Sequence, residues 1–79
     1  MASSINERIA ARVRGELATR GLSRESFYLG TGMSERTGAR RLAGTSSWTT
    51  DELAATSAFL DIPMSALVGV DPAAEKVGA

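Results

Sequence analysis

Signals that begin and end α-helices recur at short intervals along this chain, and no segment keeps the period-two alternation of a strand for long. Ser4 and Glu7 form a capping-box pattern, and Gly21 is a typical helix-ending residue. Between these signals an apolar residue recurs at every fourth position, at Ile5, Ile9, Val13 and Leu17. This spacing predicts an amphipathic first helix whose apolar stripe packs inward.

The same signals predict four further short helices. They are expected to begin after Ser23, Ser34 and Thr49 and at Pro63. They are expected to end near Gly30 to Gly32, at Gly44, at Asp61 and at Val68. The inward positions are Phe27, Leu53, Ser57, Leu60 and Leu67. We therefore expect an all-α protein, a compact bundle of five short helices within residues 1–69, with a flexible C-terminal tail at 70–79.

The chain of 79 residues contains neither cysteine nor histidine. Disulfides, thiolate metal sites and a Ser/His/Asp triad are therefore excluded. A hydrolase built from carboxylates alone stays formally open, but a chain this short leaves little room for a cleft. We expect no enzymatic activity, and no cofactor, metal ion or small-molecule substrate.

No apolar run approaches the roughly 20 residues that a membrane span requires. Charged residues interrupt the N-terminal segment MASSINERIAARVRGE every few positions, unlike the apolar core of a signal peptide. These features predict a soluble, cytoplasmic protein that makes no membrane contact.

Charge is divided unevenly between the two halves of the chain, although the formal net charge is zero. Residues 1–48 carry eight arginines and four glutamates, a net charge of +4. Residues 49–79 carry one lysine and five carboxylates, a net charge of −4. This asymmetry favours contact between one face and a polyanion, and an ordinary arginine-rich helix surface is the alternative.

The stretch GTGMSERTGARRLAG, residues 30–44, has two interpretations. A phosphate-binding glycine loop of the dinucleotide type needs a glycine where Glu35 stands, and a P-loop needs a Gly-Lys-Ser/Thr sequence that is missing. The other interpretation is a tight turn followed by a short helix. On that helix Arg36 and Arg40 lie one turn apart, opposite the side that holds Gly38 and Leu42. Such a helix suits the DNA major groove, where arginine binds guanine, or is a solvated surface with no specific partner.

The order of motifs resembles the lambda-repressor-like, Cro-like helix-turn-helix family, the XRE class. The resemblance covers about Ile5 to Val68. It depends on Leu22-Ser23, the turn Gly32-Met33-Ser34, Arg40-Arg41-Leu42 before Gly44, Trp48, Asp51-Glu52-Leu53, and the segment from Leu60 to Leu67. The combination of RRLxG with WTxDEL is especially similar to small repressor-like proteins of actinobacterial phages and prophages.

The resemblance implies roles for individual residues. The positions that usually read bases are Glu35, Arg36 and Arg40. The positions that contact the DNA backbone or flank the site are Arg24, Ser34, Thr37, Arg41, Thr45, Ser46 and Ser47. Trp48 is expected to cover the core, with a DNA contact as the alternative, because an indole buries a large apolar area.

Two departures from the family pattern require an explanation. The family has a small residue at the position of Tyr28 and a branched apolar residue at the position of Gly38. We predict that the Tyr28 ring fills the space at Gly38, which conserves volume where the two helices cross. The apolar position expected at Arg41 has moved to Leu42, which leaves the direction of Arg41 open.

The family's activity implies a function for this chain. We expect sequence-specific binding of double-stranded DNA and a Cro-like phage or prophage repressor of transcription that occludes operator or promoter DNA. A weak homodimer through the C-terminal helices is the expected self-contact. The alternatives are an antitoxin or excision-type regulator on the same fold, or an antirepressor module that binds protein and does not read DNA.

Overall fold

The computed structural model describes residues 4–69. Five helices occupy this segment, and the residues described contain no strand. Their bounds are α1 Ile5–Arg20, α2 Arg24–Thr31, α3 Glu35–Ala43, α4 Thr50–Leu60 and α5 Met64–Val68. The all-α fold predicted from the sequence is confirmed, and the predicted tail at 70–79 lies outside the described residues.

The helix ends follow the local signals closely. Ser4 and Thr49 complete capping boxes with Glu7 and Glu52, and Ser23 and Ser34 each accept a backbone N–H with the side-chain oxygen. Asp61, at the predicted end of α4, adopts the left-handed conformation, with φ 55°. The side chains of the N-cap residues Ser4, Ser23, Ser34 and Thr49 accept hydrogen bonds from backbone N–H groups that the first turn of a helix leaves without partners.

Two predicted boundaries are wrong in detail. Gly30 lies inside α2 and takes no part in the turn, which Gly32 makes alone with φ 80°. Pro63 precedes α5 as its N-cap residue instead of being its first helical residue. Both differences shift a boundary by one or two residues, because the local signal indicates that a turn is present and does not specify at which residue the helix ends or begins.

The core is built from all five helices and the segment that joins α3 to α4. Helix α1 packs against α3 and α5, and α4 packs against α2 and α5. The buried apolar cluster consists of Ile9, Val13, Leu17, Phe27, Tyr28, Leu42, Trp48, Leu60 and Leu67. Trp48 is 8% exposed, which confirms its predicted place over the core.

One polar residue of α4 faces the core, and the sequence pattern did not indicate this. Thr56 is fully buried, whereas Leu53 and Ser57, which were expected to face inward, are only half-buried. Among the described residues, neither Thr56 Oγ1 nor Trp48 Nε1 has a hydrogen-bond partner.

None of the helices in residues 4–69 combines the length and apolar character needed to cross a membrane.

Candidate nucleic-acid interface

Helices α2 and α3 form a helix-turn-helix unit with a turn of three residues, Gly32, Met33 and Ser34. The Gly32 N–H donates to the Tyr28 carbonyl at 2.9 Å and closes α2. Ser34 Oγ accepts from the Thr37 N–H at 3.1 Å and opens α3. Because glycine has no side chain, Gly32 adopts a positive φ without a steric penalty, and the chain reverses within these three residues.

The contact between α2 and α3 depends on a pair of residues of opposite size. Gly38 is buried, and a Cβ atom at this position would collide with Cδ1 and Cε1 of the Tyr28 ring. The prediction that Tyr28 fills the space at Gly38 is therefore confirmed. The Tyr28 ring also packs edge-on against Phe27, with 5.9 Å between the ring centroids.

A second pair of this kind joins α2 to α4, and the sequence reasoning missed it. A Cβ atom at Gly30 would collide with Cδ1 and Cε1 of Phe59. Phe59 in turn packs edge-on against Phe27 at a centroid distance of 6.0 Å. No sequence signal indicated this pair, and the two closely spaced glycines favoured a turn instead.

The outer face of α3 presents the three residues predicted to read bases. Glu35, Arg36 and Arg40 are all exposed. None of their side chains forms a hydrogen bond or an ion pair with another residue of segment 4–69. Arg36 and Arg40 stand one turn apart, so their guanidinium groups extend from the same side of the helix.

Arg41 was predicted to flank the DNA site, with the direction of its side chain left open, and the structure turns that side chain toward α4. Its Nε lies 2.6 Å from Glu52 Oε1, and its Nη1 donates to Ser46 Oγ at 2.5 Å. The Arg41 and Glu52 side chains are each only 15% exposed. The structure therefore gives Arg41 a structural contact between α3 and α4, because the apolar inward position has moved to Leu42.

Glu52 ties this contact to the start of α4. Its Oε1 accepts from the Thr49 N–H at 2.8 Å as well as from Arg41. Burial raises the pKa of Glu52, but the hydrogen bonds from Arg41 and Thr49 and the Arg41 charge outweigh it, so the pKa lies below its ordinary value. The carboxylate therefore stays ionised in the folded protein at neutral pH.

The residues predicted to flank the site are placed differently from one another. Arg24 is exposed at the first position of α2, and Ser34 is exposed as the N-cap of α3. Thr37 is half-buried, and so is Ser46, which accepts from Arg41. Thr45 is exposed and donates its hydroxyl to the Arg40 carbonyl at 3.3 Å, and Ser47 is exposed.

One further arginine supports α3 and was not found from the sequence. Arg14 Nη1 donates to the Leu42 carbonyl at 2.5 Å, across 28 positions of the chain. A cation at the last turn of a helix interacts favourably with its free carbonyls and its dipole. Since this cation comes from α1, no pattern within α3 indicated it.

The arrangement presents the guanidinium groups of Arg36 and Arg40 on the outer face of α3, beside the carboxylate of Glu35. Arg36 and Arg40 supply the planar donor pairs that match guanine O6 and N7. Arg24, Ser34 and the exposed hydroxyls of the 45–47 segment supply donors of the kind that hold phosphate. Glu35 is the exception, since a carboxylate repels phosphate and accepts from an amine such as cytosine N4.

The sequence matches no protein-family model, no curated protein and no solved structure. Membership of the lambda-repressor-like family therefore stays a prediction from the motifs. Any function assigned to the chain depends on the residues and contacts described above.

Proposed function

We propose that this protein binds double-stranded DNA sequence-specifically, with α3 in the major groove, and acts as a Cro-like phage or prophage repressor in the bacterial cytoplasm. The observation that carries the proposal is the exposed pair Arg36 and Arg40 on a short helix whose opposite face is packed. Neither guanidinium group forms a hydrogen bond or an ion pair within segment 4–69, so neither has a role in the fold through such a contact. Bidentate contact with guanine gives the two guanidinium groups a role.

The mechanism is occlusion of promoter or operator DNA. Arg36 and Arg40 read base edges, and Glu35 accepts from a cytosine amine. Arg24 at the start of α2 and Ser34, Thr45 and Ser47 hold phosphates on either side. Because the chain has no net charge, non-specific binding is weak, and discrimination between sites depends on the base contacts.

Self-association through the C-terminal helices is part of this proposal. Met64 at the start of α5 is 36% exposed and supplies apolar surface for such a contact. A two-fold dimer then requires a palindromic site with half-sites about one helical turn of DNA apart. Met64→Ser therefore weakens binding to a palindrome more than binding to a single half-site.

The test is selection from a random duplex library, followed by titration of the selected site with the parent and with Arg36→Ala and Arg40→Ala. Each substitution is expected to weaken binding by about 1–3 kcal/mol and to relax specificity at one base position. The matched control is Arg12→Ala, which removes an arginine from the exposed Arg12–Glu16 pair on α1. We expect the control to change the affinity little.

Two results would refute the proposal. One is that no sequence is enriched and that the affinity does not fall as salt rises. The other is that both α3 variants stay helical by circular dichroism and bind the selected site as the parent does. An antitoxin or excision-type regulator on the same fold would pass this test, whereas a module that binds only protein would fail it.

A further inference from the structure

Leu29 is the most exposed of the large apolar residues in segment 4–69. Its side chain is 85% exposed, whereas the others that reach the surface, Ile5, Leu22 and Met64, are 44%, 37% and 36% exposed. The neighbouring Phe27 and Tyr28 face the core, so Leu29 points away from it on the outer side of α2. A single exposed leucine is ordinary, but this one borders a groove.

The groove beside Leu29 is apolar at its base and acidic at its edges. It encloses about 290 Å³ and is lined by Tyr28, Leu29 and Met33 together with Glu25 and Glu35. Both carboxylates are exposed, and neither forms an ion pair within residues 4–69. Two unpaired carboxylates beside an apolar surface favour a partner that brings apolar and cationic groups together.

A second groove has the opposite charge. It encloses about 210 Å³, and its lining combines two arginines with apolar residues of α1, of α3 and of the segment between α1 and α2. Its residues are Arg14, Leu17, Ala18, Leu22, Arg24 and Leu42. Carboxylates are missing from this lining, as cations are missing from the lining of the first groove.

The two grooves are lined by consecutive residues at the start of α2, Arg24 in the basic groove and Glu25 in the acidic one. Adjacent surfaces of opposite charge are self-complementary, because a two-fold axis between them sets the acidic surface of each copy on the basic surface of the other. We propose that two copies of this chain associate in this way. Leu29 of each copy enters the arginine-flanked groove of its partner, and Glu25 of each lies opposite Arg24 of the other.

This self-association is independent of the proposed DNA binding, but it shares residues with it. Arg24 and Glu35 belong to both surfaces, so a dimer of this form and DNA compete for them. The contact is held partly by exposed charges, so it weakens as salt rises. It is also distinct from a dimer through the C-terminal helices, which uses Met64 and leaves α2 free.

The first test is sedimentation equilibrium of the full chain without DNA, at several protein concentrations and at low salt. The parent is expected to form dimers, and Leu29→Ser is expected to weaken dimerisation by about tenfold or more, as removal of a central apolar anchor does. The matched control is Ile5→Ser, which removes another exposed apolar side chain, one that lines neither groove, and leaves this dimer unchanged. Circular dichroism confirms that each variant remains helical.

Charge reversal tests the geometry. Arg24→Glu alone and Glu25→Arg alone place like charges opposite each other in a homodimer, and each is expected to dimerise more weakly than the parent. Mixing the two variants restores opposite charges at both contacts, so the mixture is expected to form a heterodimer. A parent that stays monomeric, a Leu29→Ser variant that dimerises like the parent, or a mixture without heterodimer would overturn this inference. None of these results bears on DNA binding, which is measured separately.

Discussion

The two faces of α3 differ in what their residues contact. On the inner face Gly38 lies under the Tyr28 ring, Leu42 is buried, and Arg41 is held by Glu52 and Ser46. On the outer face Glu35, Arg36 and Arg40 contact no other side chain of the described segment through a hydrogen bond or an ion pair. Side-chain packing and the Arg41 hydrogen bonds therefore constrain which residues the inner face can hold. The outer face is left available for a ligand.

This difference also separates arginines that are alike in sequence. Arg40 and Arg41 are neighbours, yet Arg40 is exposed, whereas the Arg41 side chain is only 15% exposed and is paired with Glu52. Substitution on the inner face should therefore cost stability, and substitution on the outer face should cost only binding. Three changes test this division, from the largest expected effect to the smallest.

The largest effect is expected from Gly38→Val. The new Cβ collides with Tyr28, and overpacking of this kind costs about 3 kcal/mol. A core of this size seldom supplies more than about 3–5 kcal/mol, so much of the variant should be unfolded. Urea unfolding followed by circular dichroism measures the loss.

Two further variants make the interpretation of Gly38→Val specific. Adding Tyr28→Ala removes the ring and should recover part of the stability, so the double variant should be more stable than the two single effects predict. Gly15→Ala is the matched control, because a Cβ there meets nothing within 4 Å, and it should stabilise α1 by about 0.5–1 kcal/mol. Additive effects of the two substitutions would show that Tyr28 does not set the volume at Gly38.

An intermediate effect is expected from Glu52→Gln. The variant loses the charged partner of Arg41 and should be less stable by about 1–2 kcal/mol at neutral pH. Glu16→Gln, in the more exposed Arg12–Glu16–Arg20 network on α1, is the control and should change stability by less than about 0.5 kcal/mol. Equal losses in the two variants would contradict a special role for the inner-face contact.

The same residue predicts a dependence on pH. Because the pKa of Glu52 is lowered in the folded state, its contribution is present above the ordinary value of 4.5 and is lost as pH falls through the folded pKa. Stability measured from neutral pH downward should therefore fall less steeply in Glu52→Gln than in the parent. The hydrogen bonds of Ser4 also lower the pKa of Glu7, so part of the acid sensitivity should remain in the variant.

The smallest effect is expected from Arg40→Gln. Its side chain has no ion pair or hydrogen bond within residues 4–69, so stability should change by less than about 0.5 kcal/mol. Arg41→Gln is the matched comparison on the adjacent residue and should be clearly less stable. Thermal unfolding of the two variants side by side measures the difference, and a reversed order would place the structural arginine at 40.

Most of the fold could be predicted because its signals are local. Ser4 with Glu7 and Thr49 with Glu52 are capping boxes whose partners are three residues apart, so their hydrogen bonds form wherever the helix begins. The exposure of Arg36 and Arg40 followed from the period of the helix in the same way. The Tyr28–Gly38 contact was found from two opposite departures in size from a family pattern.

Contacts between distant elements were not predictable in this manner. Arg41 was expected to flank the site with its direction undecided, Gly30 was expected in a turn, and Thr56 and Arg14 were given no role. Each is explained by a residue far along the chain or by packing from several sides, such as Phe59 over Gly30 and the Leu42 carbonyl beside Arg14.

By itself, then, the sequence determined the five helices, their ends apart from the boundaries at Gly30 and Pro63, and the outward direction of Arg36 and Arg40. Backbone capping and helical periodicity act over a few residues, so a single sequence contains the information. Only the tertiary structure decided which arginine is structural, which glycines lie against an aromatic ring, and which residues line the acidic and the basic groove. These outcomes depend on which side chains share a volume or a buried charge, and that is set when the helices pack.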